Sequence, residues 1–212
     1  RIKNKRVEET GMSRRFTIWA AVLAIAACAQ VPPAVSLAAA EEVETIQDAP
    51  AAEYGFGVLA DLAGTRWRGE PGEADKEHGQ PADYSEWDWD LGGSVLVNRH
   101  VLEDGSYGGI TYVQLTRTPG VLDYVYITSA NFRTSGTFTL NPDGSWTAEE
   151  DVKGLPHILK VRSTGRINAD GTMSSVSEFL GDDGEWWPGH AFTYIQTDTP
   201  LPDLVPAGNA PE

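Results

Sequence analysis

Two histidines lie on apolar faces of predicted strands, and their surroundings make them the first candidates for chemistry. His190 lies in a strand whose alternate positions are aromatic: Trp186, Phe192 and Tyr194. His100 alternates with leucines on an earlier strand. A histidine in such a place can ligate heme, act as a general base, or serve as a hydrogen-bonded core residue, which is the commonest case. The sequence leaves these three roles open.

Other chemical signals are weaker. Trp87 and Trp89 share a strand face that we expect to point inward, and the opposite face holds three carboxylates, Glu86, Asp88 and Asp90. Carboxylates at this spacing can bind calcium, but they are more typical of the solvent side of a half-buried strand. The sequence has no Gly-x-Ser-x-Gly nucleophile motif and no closely spaced histidine pair of the kind that binds zinc. We therefore predict no catalytic residue and no metal ligand.

A basic stripe follows a later strand, where Lys160, Arg162 and Arg166 share one face. Inside a barrel, such a stripe can bind a carboxylate ligand. On the outside, it can pair with Glu150 or Glu178 on adjacent strands. The outward arrangement is favoured.

Ten short strands, separated by turn signals, must position these residues. Pairs such as Asp104-Gly105 and Asp143-Gly144 place a glycine where a hairpin needs a positive φ. The strands are predicted over residues 65–70, 84–90, 94–102, 106–116, 121–128, 134–140, 145–152, 158–167, 172–180 and 185–196. A short helix is expected between Tyr54 and Leu62, where apolar residues recur at helical spacing. No long amphipathic helix follows, which excludes the strand–helix alternation of doubly wound folds.

Short turns make neighbours in sequence neighbours in space. The expected fold class is therefore all-β, a single antiparallel up-and-down β-barrel of about ten strands with a short N-terminal helix, because closure removes both exposed sheet edges. A barrel of this size encloses room for one small ligand. A barrel packed solid with side chains is the alternative.

The chain divides into four predicted parts. They are an export signal over residues 1–40 that starts at Met12, a flexible acidic tether over 41–53, the barrel over 54–198, and a Pro-rich disordered tail over 199–212. The uncharged stretch of the signal, residues 16–27, falls short of the roughly 20 residues that a membrane-spanning helix needs.

Two routes of signal processing are open. The segment Ile25–Cys28 resembles a lipobox, in which Cys28 is lipidated, whereas Ala38–Ala40 suits ordinary signal peptidase. By either route the barrel keeps no cysteine for a disulfide. We expect a periplasmic or secreted protein that contacts a membrane only through a lipid anchor at Cys28.

The charge balance limits the partners. The net charge is −15, and it becomes −19 without residues 1–40, which hold six of the 16 Lys and Arg and two of the 31 Asp and Glu. Nucleic acids and anionic membrane surfaces require basic patches, so neither is an expected partner.

The segment Leu62–Glu70, Leu-Ala-Gly-Thr-Arg-Trp-Arg-Gly-Glu, resembles the opening of calycin-type barrels such as the lipocalins. In those families a short helix leads into a strand whose Trp, here Trp67, plugs the closed end. The Trp-x-Gly-Glu sequence is similar to the nitrobindin-like, heme-binding branch and to exported bacterial proteins of unknown function. The resemblance implies heme as one candidate ligand, with His190 as the proximal histidine. Arg66 departs from the pattern, since the family usually has Gly-Thr-Trp or Gly-x-Trp.

The expected function is binding of a small, mostly apolar molecule, with heme or a lipid among the candidates, inside the barrel. The expected ligand-binding residues are His190, His100, Trp87, Trp89, Trp186, Phe192, Tyr194 and Trp67. One alternative is an isomerase or hydrolase that uses His190 or His100 with a buried carboxylate. Another is a structural module of the cell envelope, with an exposed aromatic patch that includes Trp186 and Trp187.

Overall fold

The computed structural model of the protein describes residues 55–206. The expected export signal, both cleavage sites, Cys28 and the tether lie outside the described residues, as do residues 207–212 of the tail. None of the helices within 55–206 is long and apolar enough to cross a membrane.

Ten strands make up most of the described chain. They are β1 (Thr65–Pro71), β2 (Asp83–Asp90), β3 (Val95–Leu102), β4 (Gly108–Leu115), β5 (Val121–Thr128), β6 (Arg133–Leu140), β7 (Ser145–Lys153), β8 (Ile158–Ile167), β9 (Met173–Gly181) and β10 (Trp186–Gln196). The helical segment expected before β1 is a 3-10 helix, Gly57–Leu62, here called the entry helix. A five-residue helix that the sequence did not predict, α1 (Glu73–Glu77), lies between β1 and β2.

Each strand pairs antiparallel with the next one along the chain, and β10 pairs with β1 to close the barrel. This topology confirms the predicted all-β, up-and-down barrel of ten strands. The β9–β10 ladder is interrupted by a register shift between Pro188 and Ala191. The shift changes which face of β10 its first residues occupy.

One end of the barrel is apolar and closed. Leu59 and Leu62 of the entry helix are fully buried there. They belong to a buried cluster with Trp67, Leu96, Val113, Leu122, Phe138, Trp146 and Met173. The strand residues of this cluster lie in the parts of their strands nearest the entry helix. The helix and Trp67 therefore close this end of the barrel. The other end, where α1 lies, is here called the α1 end.

The tail was expected to be disordered from residue 199. Residues 199–206 have no regular secondary structure, but they lie against the outside of the barrel. The Val205 amide donates a hydrogen bond to the Gly105 carbonyl at 2.9 Å. Leu201 and Leu204 line a cavity of about 300 Å³ beside β3, β4 and β5. Apolar contact therefore positions a segment whose composition predicts disorder.

Large aromatic side chains lie over glycines inside the barrel. Gly165 of β8 pairs with Trp146 of β7, and a Cβ at Gly165 would lie 2.4 Å from the indole ring. Gly69 pairs with Tyr194 in the same way, with a Cβ 2.4 Å from the phenol ring. These glycines let bulky rings fill the interior without strain.

We expect Gly165→Ala to lower the free energy of unfolding by about 1–3 kcal/mol, because the added methyl group forces Trp146 out of its position. Urea denaturation followed by tryptophan fluorescence measures the change. Thr164→Ala, on the exposed face of the same strand, is the control and should change stability by less than about 0.5 kcal/mol. Equal effects of the two substitutions would contradict this packing.

Candidate binding site in the barrel interior

The α1 half of the barrel interior is polar. The buried carboxylate and imidazole side chains among residues 55–206 are those of three acids, Asp75, Asp83 and Glu150, and two histidines, His100 and His190. Buried Ser, Thr, Asn and Gln side chains accompany them. The interior of this half therefore differs in kind from the apolar end.

A hydrogen-bonded chain of five side chains crosses the interior. Asp83 begins β2, and its Oδ1 lies 2.8 Å from His100 Nδ1 on β3. His100 Nε2 lies 2.7 Å from the Tyr126 hydroxyl on β5, which lies 2.6 Å from the Tyr107 hydroxyl. Tyr194 of β10 donates to the second oxygen of Asp83 at 3.0 Å. Strands distant in sequence are thus joined through one carboxylate.

The carboxylate of Asp83 sets the direction of the first hydrogen bond of this chain. A carboxylate accepts, so His100 donates to it from Nδ1. A tyrosine hydroxyl can both donate and accept, so Tyr126 can join His100 Nε2 to the Tyr107 hydroxyl.

Burial keeps four tyrosines protonated. Desolvation raises the pKa of Tyr107, Tyr124, Tyr126 and Tyr194 well above the usual range. Nearby carboxylates add to the shift: Asp83 beside Tyr194, and Glu150 beside Tyr124. These hydroxyls therefore remain hydrogen-bond donors at physiological pH.

Glu150 forms a second buried acidic site on β7. It is fully buried, and its Oε2 accepts hydrogen bonds from the Tyr124 hydroxyl at 2.8 Å and from the Thr134 hydroxyl. The Tyr124 ring packs on Phe138 with a centroid distance of 5.1 Å. Hydroxyl donors of this kind stabilise the ionised carboxylate.

His190 pairs with an acid that sequence reasoning missed. Its Nδ1 lies 2.7 Å from Oδ1 of Asp75 on α1, and the other Asp75 oxygen accepts the Ala191 amide at 2.9 Å. The Ser177 hydroxyl accepts from the His190 amide at 2.8 Å, which supports the backbone at the register shift. Asp75 therefore orients the imidazole of His190, and its two contacts hold α1 against β10.

Several buried polar atoms on β2, β3 and the loop before β2 have no hydrogen-bond partner among the protein atoms of residues 55–206. These atoms are the Ser85 hydroxyl, Trp87 Nε1, Asn98 Oδ1 and both amide atoms of Gln80. Ser85 lies between Asp83 and Trp87 on the inner face of β2 and pairs in register with His100, while Trp87 pairs with Asn98. An unmatched buried polar group lowers the free energy of unfolding by about 1–3 kcal/mol. Its presence requires an explanation, such as a bound molecule.

Most of the sequence-predicted site residues lie inside the barrel. His100, His190, Trp87, Trp67, Phe192 and Tyr194 are buried. Trp89 shares the face of Trp87, but it lies at the end of β2, where it is 37% exposed. Its ring meets Phe56 edge-on at 4.9 Å, so Trp89 covers the entry helix from outside the interior.

The expectation that Trp186 shares the inward face of β10 is wrong. The register shift between Pro188 and Ala191 reverses the alternation before His190. Trp186 consequently lies on the outer face, where the Arg162 guanidinium is 4.3 Å from its ring centroid. Trp187 packs instead against the core and occupies the space above Gly181.

The basic stripe lies outside the barrel, as favoured. Arg162 pairs with Glu178 at 2.6 Å and Lys160 with Glu149 at 2.6 Å, and all four side chains are partly exposed. The suggested pairing with Glu150 is wrong, because Glu150 is on the inner face of β7.

No family model matches the chain, and no curated protein matches it. Among solved structures, the chain is similar to the crystal structure of Rv2717c from M. tuberculosis, with 12% sequence identity and a TM-score of 0.46. The match covers 66% of this chain and 94% of that chain.

We expect Tyr126→Phe to lower the free energy of unfolding by about 1–3 kcal/mol, because His100 Nε2 and the Tyr107 hydroxyl both lose a buried partner. Chemical denaturation measures this change. Tyr112→Phe, which removes a hydroxyl from the outer face of β4, is the matched control and should have little effect. A loss of stability no larger than that of the control would show that the chain of hydrogen bonds contributes nothing.

Proposed function

We propose that this protein binds a small organic molecule in the polar half of its barrel. The observation that carries the proposal is the set of buried, unmatched polar atoms around Ser85, Asn98 and Gln80. A barrel that served only as a scaffold would gain stability from apolar side chains at these positions. Unmatched donors and acceptors are instead typical of a site that a ligand completes.

The interior suits a ligand with an apolar body and a few polar groups. Rings of Tyr107 and Phe132 stack at a centroid distance of 6.3 Å, and Tyr126 meets Phe132 edge-on at 6.5 Å. These surfaces supply apolar contact, and the hydroxyl and amide groups supply orientation. The unmatched atoms have almost no area open to water. Entry therefore requires movement of a covering element, and α1, held to β10 by Asp75, is the element we assign to that role.

Heme fits the described residues poorly. A macrocycle needs a flat open space beside its histidine ligand, yet His190 is only 9% exposed. The rings of Phe179 and Phe192 lie 5.7 Å and 6.4 Å from the imidazole. The proposed ligand is accordingly smaller than heme.

We also propose that the barrel is calycin-like and exported. The entry helix leads directly into β1, and Trp67 is 2% exposed at the closed end, with its Nε1 donating to the Thr65 hydroxyl at 2.7 Å. That arrangement supports the resemblance carried by the Gly-Thr-Arg-Trp segment. Export rests on the sequence of residues 1–40, and lipidation on Cys28.

We expect Ser85→Ala to raise the free energy of unfolding of the ligand-free protein by about 1–2 kcal/mol, because an unmatched buried hydroxyl is removed. The same change should weaken ligand binding. Native mass spectrometry of the protein purified after export measures the bound mass, and calorimetry measures stability. Ser174→Ala, on the outer face of β9, is the control for both.

Two results together would contradict the proposal. One is an exported protein that carries no bound mass. The other is a Ser85→Ala variant that is less stable than wild type, which would mean that the hydroxyl already has a partner within the protein.

An enzyme that uses His190 is the second candidate. The observation that favours it is the Asp75–His190 pair, since a buried carboxylate that fixes an imidazole is a common arrangement for a general base. His157 Nδ1 lies 2.7 Å from Asp182 Oδ2 in the same kind of contact, but both of these side chains are exposed. The third candidate, an envelope module with an aromatic patch, loses support because Trp187 packs inward.

If the barrel is a hydrolase, His190→Gln should lower the hydrolysis of activated esters by at least about 100-fold, because the general base is lost. Asp75→Asn should lower it as well, and His157→Gln should leave it unchanged. Initial rates with a series of nitrophenyl esters measure these effects. Equal rates in wild type and His190→Gln would exclude this role.

A further inference from the structure

We propose that the ligand of the barrel interior is a cation, a protonated amine carried on an aromatic or aliphatic body. This inference rests on the binding function proposed above and adds the charge of the ligand. Four kinds of observation support it: the sign of the buried charges, their common location, the aromatic surfaces beside them, and unmatched acceptor atoms.

Among residues 55–206, the interior buries acids but no Lys or Arg. The buried charged residues within 55–206 include Asp83 and Glu150, and no Lys or Arg is among them. The basic side chains of the strands instead face outward, as Arg162 does beside Glu178. Within the described barrel, an anionic ligand would therefore meet carboxylates and no guanidinium or ammonium group. A cationic ligand would be attracted.

Asp83 and Glu150 act on the same region of the interior, although they come from opposite parts of the sheet. Asp83 is on β2 and Glu150 on β7. Asp83 is linked to the Tyr126 hydroxyl through His100, and Glu150 accepts from Thr134, which pairs in register with Tyr126. Both acids therefore lie near Tyr126, where their charges add to the larger effect of burial that raises its pKa.

Aromatic rings surround this region. Tyr124 packs on Phe138, Tyr107 stacks on Phe132, and Tyr126 contacts Phe132 edge-on. The face of an aromatic ring attracts a cation, and the attraction is stronger where water is excluded. Carboxylates together with ring faces form a combination that recognises alkylammonium groups.

Unmatched acceptor atoms give independent support. Asn98 is fully buried, and its Oδ1 has no partner within the described part of the chain, while its amide nitrogen donates to the Glu86 carbonyl at 3.1 Å. The Ser85 hydroxyl, which also has no partner there, lies two positions from Asp83 on the inner face of β2. Oxygen acceptors at these two positions suit the N–H donors of an ammonium group.

Three compounds of similar size and different charge test this inference: 2-phenylethylamine, 2-phenylethanol and 3-phenylpropanoate. Isothermal titration calorimetry with the full chain at neutral pH should show the amine binding at least ten-fold more tightly than the alcohol, and no binding of the carboxylate. Glu150→Gln should reduce the preference for the amine over the alcohol at least ten-fold. Glu149→Gln, its neighbour on the outer face of β7, should leave that preference unchanged.

The outcomes separate the inference from the proposed function. Tighter binding of the alcohol or the carboxylate than of the amine would overturn the cationic ligand and leave a binding barrel. If none of the three compounds binds and the exported protein carries no bound mass, the binding function itself fails. The order of the three affinities measured on the wild-type protein decides the inference even if the Glu150→Gln variant does not fold.

Discussion

The carboxylate of Asp83 connects both sides of the barrel closure. One oxygen accepts from His100 on β3 and the other from Tyr194 on β10, so the carboxylate spans β1, which separates β2 from β10. Through Tyr126 the connection extends to β5. Breaking a buried, fully hydrogen-bonded group of this kind leaves several unsatisfied partners at once. Asp83 therefore positions His100 and Tyr194, and through His100 it positions Tyr126.

This constraint divides the barrel into two parts with different tasks. The half near the entry helix is packed with apolar side chains such as Leu59 and Phe138 and supplies burial energy. The other half places acids, histidines and tyrosines inside, where each polar group needs a partner. Because Ser85 and Asn98 keep unmatched atoms there, this half is the part of the molecule that a ligand would complete. The burial energy of the apolar half explains how the fold stays stable although unmatched polar groups in the other half cost folding free energy.

Sequence reasoning predicted the strands well because most of them have alternating burial and several end at an Asp-Gly or similar turn. It missed Asp75, since a helix of five residues has no periodicity to detect and its partner His190 lies 115 residues away. It placed Trp186 on the wrong face because a register shift has no clear sequence signal. Asp83 was within reach, since it shares the inward alternation of Trp87. Its role could not be read from the sequence, because the pairing of β1 with β10 brings Tyr194 to its carboxylate.

The central claim is that the polar half of the interior is a ligand site. The most direct measurement is a high-resolution crystal structure of the protein purified after export, with no ligand added. We expect density larger than a water molecule that contacts the Ser85 hydroxyl and Asn98 Oδ1. An interior in which these atoms are paired with other side chains or with single waters would contradict it.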